Sequence, residues 1–324
     1  MRQLIAYAMS AVVAATAVYA FSHRTPPPLP ATQLRTDRLL INDMAVDGRR
    51  VVAVGEQGIV LTSDDLGESW QQAKIAPRRS SALTGVAVLS TDQLVAVGHD
   101  GWILRSDNGG KSWQEVRIDN ELAEPLLGVW ASDANHVVAY GSYGKFFASA
   151  DGGRSWQARE LPVDGYHLNG MDGGADGRQM LVGEQGTVLR SADGGQNWEA
   201  LPAFYKGSLF GVARLSAERW LAYGMRGHVF LSNDFGQSWT QVPLGHTSPL
   251  YGHARLPGQT GVLVVGAGGV VSRFDGQGKL VDSLRLKSLG TLTSVAALDE
   301  RVLVVGGEQG VFKSFRGGIT VAKD

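Results

Sequence analysis

Acidic side chains recur at one position of an eight-residue element that the chain carries in five copies. The element reads S-x-D-x-G-x-S-W and closes at Trp70, Trp113, Trp156, Trp198 and Trp239. Its third position holds Asp65, Asp151, Asp193 and Asp234, with Asn108 in the second copy. Paired carboxylates perform the acid–base chemistry of glycoside hydrolysis. An amide cannot replace a carboxylate in that chemistry. The presence of Asn108 therefore indicates that the third position holds a structural side chain, which hydrogen-bonds the backbone of its own turn.

A second repeated element, G-x-x-G, places these boxes in a regular architecture. Its first glycines follow one another at intervals of 41 to 43 residues, at Gly55, Gly98, Gly141, Gly183, Gly224, Gly266 and Gly307. An apolar β run precedes each pair of glycines and another follows it. Two such runs joined by a glycine-flanked turn form a tight hairpin. Repetition with a period of about 40 residues is typical of propellers and solenoids.

Each repeat contains four predicted strands, which indicates an all-β, seven-bladed β-propeller of four-stranded antiparallel blades. An inner strand precedes each hairpin, and a short outer strand follows each box tryptophan. The predicted inner strands are Ile41–Val46, Leu83–Leu89, Leu126–Trp130, Leu168–Met171, Leu209–Leu215, Leu250–Leu256 and Leu292–Leu298. The sixth and seventh repeats have lost the box. Either the last strand, Ile319–Lys323, or the incoming segment Ala31–Asp37 closes the ring, and the sequence leaves this choice open.

The N-terminus predicts export. Residues 1–22 combine Arg2 with an uncharged apolar stretch and small residues at its end, which is typical of a signal peptide; an uncleaved membrane anchor is the alternative. A Pro-rich linker follows at residues 23–36, and the propeller occupies residues 37–324. The chain contains no cysteine, which excludes disulfides and thiolate metal sites. Its formal charge of −1 disfavours nucleic acid as a partner.

The face that carries the hairpins and the linkers between blades is the predicted binding surface, since rigid scaffolds commonly present function on their loops. Basic and aromatic residues are expected there. Arginine is favoured at interfaces for its rigid fork of donors, although a single arginine more often covers apolar surface. The predicted partner-binding residues are Arg78, Arg79, Arg105, Arg190, Tyr205, Lys206, Arg226 and Arg273.

At its eight-residue boxes the chain resembles the bacterial neuraminidase repeat, or Asp-box. The regular spacing and the V-G-E-Q-G runs, Val54–Gly58 and Val182–Gly186, resemble more closely the photosystem II stability/assembly factor family. That resemblance implies a non-enzymatic propeller that binds a protein subunit of a membrane complex. The N-terminal segment predicts residence in the periplasm, or in the thylakoid lumen of a phototroph, and an uncleaved segment would tether the protein to the inner membrane. A monomer is predicted.

The alternative is a sialidase-like glycoside hydrolase or a carbohydrate-binding propeller. A sialidase needs converging arginines, a Tyr–Glu pair and an early F-R-I-P-type signature. Here the nearest string is Val116–Asp119, which follows a box tryptophan. Glu56, Glu184 and Glu308 occupy equivalent turns of different blades, which spreads them around a ring. The seven histidines lack metal-ligand spacing. We therefore predict no catalytic residue, no metal site and no cofactor, and Phe204 and Tyr205 are the first platform expected for a sugar.

Overall fold

The computed structural model describes residues 1–21, 35–119, 121–258, 261–298 and 302–315. Two separate units make up this part of the chain, an N-terminal helix and a β-propeller. The helix spans Arg2–Phe21, and no helix among the described residues is long and apolar enough to cross a membrane. The signal peptide or anchor stays a prediction. Residues 23–34 of the predicted linker lie outside the described residues.

Seven antiparallel sheets follow one another along the chain, which confirms the seven-bladed propeller. From the inner to the outer strand, blade one contains Ile41–Asp47, Arg50–Gly55, Val60–Ser63 and Gln71–Gln72. Blade two contains Leu83–Val88, Leu94–Gly98, Ile103–Ser106 and Ser112–Arg117. Blade three contains Leu126–Ala131, Val137–Gly141, Phe146–Ser149 and Gln157–Ala158. All seven predicted inner strands begin at the predicted residue.

The remaining blades repeat this order. Blade four contains Leu168–Gly173, Gln179–Gly183, Val188–Ser191 and Glu199–Ala200. Blade five contains Leu209–Arg214, Trp220–Gly224, Val229–Ser232 and Thr240–Val242, and blade six Leu250–Arg255, Val262–Gly266, Val270–Phe274 and Leu280–Arg285. The described part of blade seven comprises Leu292–Ala297, Val302–Gly307 and Gly310–Phe315. Blade two differs by a fifth, parallel edge strand, Lys74–Ala76, supplied by the preceding linker.

Burial falls from the middle of each blade to its rim. The second strands are buried almost throughout, as in Leu94–Gly98 and Val262–Gly266, because both of their faces pack against neighbouring blades. A strand covered on both sides needs a continuous apolar run rather than alternation. Most outer strands, such as Gln157–Ala158, are exposed, whereas that of blade two is largely half-buried. The apolar runs before each G-x-x-G element therefore form the core of the propeller.

In blades one, two, four and seven, a polar side chain at the second position of the inner strand donates to the inner strand of the next blade. Asn42 Nδ2 donates to the carbonyl oxygen of Leu83 in the next blade at 2.8 Å, and Thr84 Oγ1 donates to Leu126 at 2.8 Å. The next position is glycine in blades two to six. An added Cβ on Gly170 would lie 2.6 Å from the Cα of Gly211, so the inner strands pack too closely for a side chain there.

Blade seven meets blade one through the same contacts, which completes the ring. Thr293 Oγ1 lies 2.5 Å from the carbonyl oxygen of Ile41, and Ser294 Oγ accepts the backbone N–H of Met44 at 3.0 Å. A short helical turn at Thr36–Arg38 leads into blade one. The carbonyl oxygen of Thr36 lies against Gly310, as that of Tyr205 lies against Gly186, so Thr36 occupies the linker position of blade seven. Ile319–Lys323, one predicted closing strand, lies outside the described residues.

Candidate protein-interaction surfaces

The Asp-box carboxylates hold the turns between third and outer strands. Ser63 Oγ accepts the backbone N–H of Gly67 at 2.8 Å and donates to Asp65 at 2.7 Å. Asp65 also accepts Ser69 Oγ at 2.5 Å and Ser69 N–H at 2.9 Å. These bonds, from the Ser69 hydroxyl above all, hold the pKa of Asp65 well below its usual value. Asn108 accepts Ser112 N–H at 2.9 Å in the same way, so an amide closes the turn as well.

The box tryptophans cover the seams between blades to different extents. Trp113 is buried and donates its Nε1–H to the carbonyl oxygen of Gly110 at 2.8 Å. Trp156 and Trp239 make the same bond at 3.1 Å but are only half-buried. The box glycine two positions after the aspartate packs on the preceding blade, as Gly153 does on Val95. The boxes thus define one face of the propeller, called here the box face.

The opposite face, called the hairpin face, carries the G-x-x-G turns and the linkers between blades. In blades one to six, the turn places its second tip residue in the left-handed region, such as Tyr143 at φ 54° and Arg226 at φ 58°. Two tip glutamates are tied to linker backbone: Glu184 accepts His167 N–H at 3.1 Å, and Glu308 accepts Thr291 N–H at 2.8 Å. These carboxylates therefore fix loops.

Five of the predicted partner-binding residues lie on the hairpin face, in two separate groups. Arg78 and Arg79 precede blade two, where Arg79 forms a bidentate pair with Glu115 at 2.5 and 2.9 Å and Arg78 is exposed. Tyr205, Lys206 and Arg226 lie at the entry to blade five and at its tip. Lys206 and Arg226 are exposed, whereas Tyr205 is half-buried and its hydroxyl lies 3.4 Å from the Met225 carbonyl oxygen.

The other three, Arg105, Arg190 and Arg273, lie at the opposite end of the third strand, so their predicted position beside the hairpin turns is wrong. The side chain immediately before the box serine points along the box face. Arg105 is buried and donates to the Gly152 carbonyl oxygen at 2.7 Å, while Arg273 pairs with Asp282 at 2.6 Å. Each third strand runs from the hairpin turn towards the box face, so a residue near the end of the strand lies far from the turn.

A basic quadrant extends over the hairpin face of blades five and six. Its exposed cations are Lys206, Arg226, Arg285 and Lys287. The tips and linkers around them, residues 201–208, 224–228, 243–249, 266–270 and 286–291, contain no aspartate or glutamate. The tips of blades one, two, four and seven each carry an acidic residue instead: Glu56, Asp100, Glu184 and Glu308. The charge on this face is therefore segregated, although the whole chain is nearly neutral.

The central channel contains a polar cluster that sequence reasoning missed. Asp43 accepts backbone N–H groups of Met44 at 2.8 Å and Val86 at 3.0 Å, and burial raises its pKa to about 6. The Tyr223 hydroxyl lies 2.7 Å from His253 Nδ1, and burial lowers the pKa of that histidine. The channel encloses about 210 Å³, less than the roughly 300–1,000 Å³ of ordinary ligand pockets. Asp43 occupies the position at which five other blades have glycine, and this departure from the repeat was the sequence feature that could have indicated the cluster.

Among the described residues, neither a cluster of metal ligands nor a free Phe204 platform is formed. Within the described ranges, no group of three or more His, Asp or Glu side chains is arranged to hold a metal ion. Phe204, the expected sugar platform, stacks on Trp239 at a centroid distance of 5.0 Å and meets Phe230 at 4.9 Å. Its ring is thus part of the packing between blades four and five.

The sequence model of the family described as photosynthesis system II assembly factor YCF48 matches residues 30–165 and 109–203, which together are more than half of the chain. The chain belongs to this family. The predicted resemblance is confirmed, and with it an assembly-factor-like propeller. A search of curated protein sequences gave no match.

Solved structures give the same fold at low sequence identity. A YCF48 bound to a D1 peptide is 19% identical, with a TM-score of 0.69 over 91% of this chain and 99% of that one. YCF48 from Cyanidioschyzon merolae is 17% identical, with a TM-score of 0.68 over 90% and 98%. An ancestral GH74 enzyme is 16% identical, with a TM-score of 0.70 over 88% of this chain and 46% of that one. An enzyme and an assembly factor thus share this scaffold.

Proposed function

We propose that this protein is a non-enzymatic assembly factor that binds an acidic segment of a membrane-complex subunit on the basic quadrant of its hairpin face. Family membership carries the proposal, together with the solved YCF48 that holds a D1 peptide. The quadrant suits an acidic segment because Lys206, Arg226, Arg285 and Lys287 face solvent on tips and linkers that contain no aspartate or glutamate, while Glu308 of the adjacent tip is bonded to Thr291 N–H. Complementary charge across an interface raises the association rate and selects partners.

A non-enzymatic role is supported by the positions of the carboxylates. The box aspartates and the glutamates Glu184 and Glu308 hold turns and linkers, and the predicted arginines are divided between two faces. We place the protein outside the cytoplasm, in the periplasm or a thylakoid lumen, on the basis of the apolar segment at residues 1–22. A monomer is sufficient for this role.

Crosslinking and co-purification from the envelope fraction test the proposal. The full chain is compared with a Lys206→Glu/Arg226→Glu double variant, and Arg78→Glu is the matched control on the same face but outside the quadrant. We expect the wild type and the control to recover subunits of one membrane complex and the double variant to lose them. Equal recovery with all three proteins contradicts the quadrant. Turnover of a glycoside substrate by the wild type overturns the non-enzymatic role.

A further inference from the structure

A cleft of about 1050 Å³ opens on the box face between blades three and four. Its apolar floor includes Trp130, Val138 and Phe146, and its rim carries Asp133, Asp151 and Asp193. The core of this seam is also small: six buried apolar or aromatic residues form it, compared with nine between blades four and five. The seam between blades three and four therefore contains a cavity at a position that is filled in the seam between blades four and five.

The seam between blades four and five shows what fills this position. Arg178, immediately before the second strand, donates to the Ala217 carbonyl oxygen at 3.1 Å. Arg190, before the box serine, donates to the Phe235 carbonyl oxygen at 3.0 Å. The Phe235 ring lies beneath both guanidinium groups, at 5.0 and 5.4 Å. Two arginines and one aromatic ring thus close this seam.

The seam between blades three and four has lost all three groups. In the repeat, Arg178 corresponds to His136, Arg190 to Ala148 and Phe235 to Gly194. His136 turns back to Asp133 of its own loop at 2.9 Å. An added Cβ on Gly194 would meet no atom within 4 Å, which shows open space at the position of the missing ring.

Other seams keep a side chain at the position of Ala148. Arg105 reaches the Gly152 carbonyl oxygen at 2.7 Å, and Lys313 reaches Glu68 at 2.5 Å. Thr62 lies against Gly110, and Leu231 lies against Gly278. Because Ala148 is too short to reach blade four, no side chain at this position of blade three fills the cleft.

The rim of the cleft is anionic at neutral pH. Hydrogen bonds from Asn197 lower the pKa of Asp193 to about 2, and those from Ser155 hold the pKa of Asp151 well below its usual value. Burial opposes ionisation of Asp133, yet bonds from Asn135 and His136 lower its pKa to about 2. Arg159 is the permanent cation among the residues that line the cleft. A cation on the incoming ligand is therefore favoured.

We propose that this cleft is a docking site for a protein partner that inserts an arginine next to an aromatic side chain. The guanidinium would take the place that Arg190 holds in the next seam, and the aromatic ring would take that of Phe235. Charge-assisted bonds from a guanidinium to a carbonyl or a carboxylate are among the stronger hydrogen bonds in proteins. This site lies on the box face, opposite the basic quadrant. It would accept a basic segment, whereas the quadrant would accept an acidic one.

NMR titration of the full chain with a short blocked peptide tests the site. The probe is acetyl-Gly-Arg-Phe-Gly-amide, and its match replaces arginine with citrulline, which keeps the shape and removes the charge. We expect the indole N–H signal of Trp130 to shift with the arginine peptide while that of Trp70, in the box of blade one, does not. The citrulline peptide should bind about tenfold more weakly or worse, the loss expected for one charge-assisted bond.

Two variants locate the binding. Ala148→Arg supplies the missing side chain from within and should abolish the shift of Trp130. Ala158→Arg is the control, because Ala158 is exposed on the same blade but does not line the cleft. The Lys206→Glu/Arg226→Glu variant should bind the peptide normally, which separates this site from the basic quadrant.

Three outcomes would overturn the proposal. The first is equal binding of the arginine and citrulline peptides by the wild type, which requires no variant to fold. The second is undiminished binding by Ala148→Arg. The third is a shift of the Trp130 indole by a chito- or cello-oligosaccharide with none by the peptide, which would assign the cleft to a sugar.

Discussion

Two neighbouring seams, one between blades three and four and one between blades four and five, share blade four and yet differ on the box face. The second is closed by Arg178, Arg190 and Phe235, and the first is open at the matching residues. Nearer the hairpin face both seams keep a buried core, as at Leu168 and Leu209. A repeat protein can therefore open a cavity by changing a few seam positions, because the framework of strands does not depend on them.

The largest expected effect comes from emptying the closed seam. Phe235 is 7% exposed, so Phe235→Ala should lower the free energy of unfolding by about 3–5 kcal/mol through lost burial and the cavity left behind. Urea denaturation measures this loss. Gly194→Ala, the matched change in the open seam, removes no contact and should cost only about 1–2 kcal/mol for its left-handed backbone at φ 75°. Equal losses would contradict the comparison.

Removal of the bridging arginine should cost less. Arg190→Ala deletes a charge-assisted bond to the Phe235 carbonyl oxygen, and we expect a loss of about 1.5–3 kcal/mol in the free energy of unfolding. The same denaturation experiment with the exposed Arg78→Ala should show a change within about 0.5 kcal/mol. An Arg190→Ala variant as stable as Arg78→Ala would show that the bridge does not hold the seam.

Insertion of an arginine into the open seam should have a smaller effect, of opposite sign. Ala148→Arg can form with Gly194 the bond that Arg105 forms with Gly152, so we expect a gain of about 1 kcal/mol. A raised melting temperature checks it, with Ala158→Arg as the variant of equal charge. Destabilisation by Ala148→Arg would show that the two seams differ in backbone as well as in side chains.

The smallest effect concerns pH. The folded-state pKa of Asp193, about 2, lies below its usual 3.8, so the stability that this carboxylate confers is present above about pH 4 and is lost as the pH falls through 2. Thermal melts between pH 5 and pH 2 should show a weaker dependence for Asp193→Asn than for the wild type. The Asp234→Asn variant, at the closed seam, should follow the same direction. An unchanged pH profile in both variants would contradict the assigned hydrogen bonds.

The sequence predicted the ring and its strands because the G-x-x-G turns and apolar runs are local signals repeated seven times. The starts of the inner strands, from Ile41 to Leu292, could be read directly. Prediction from the sequence failed where the role of a residue depends on contacts with a neighbouring blade. Arg105 and Arg190 were assigned to the hairpin face, although they bridge to the next box. The cleft at Ala148 and Gly194 also escaped notice, since small residues give no signal until the seams are compared.

The contacts that join blade seven to blade one connect residues about 250 positions apart, such as Ser294 and Met44. Every other seam joins blades that are neighbours in the chain and therefore forms early. Loops this long are slow to close, and we expect a chain in which this seam has not yet formed to expose an apolar face at each end of an open arc. A chain that stops after blade six would keep both faces exposed. The seam at Thr293 and Ile41 thus covers two apolar faces that would otherwise favour association between chains.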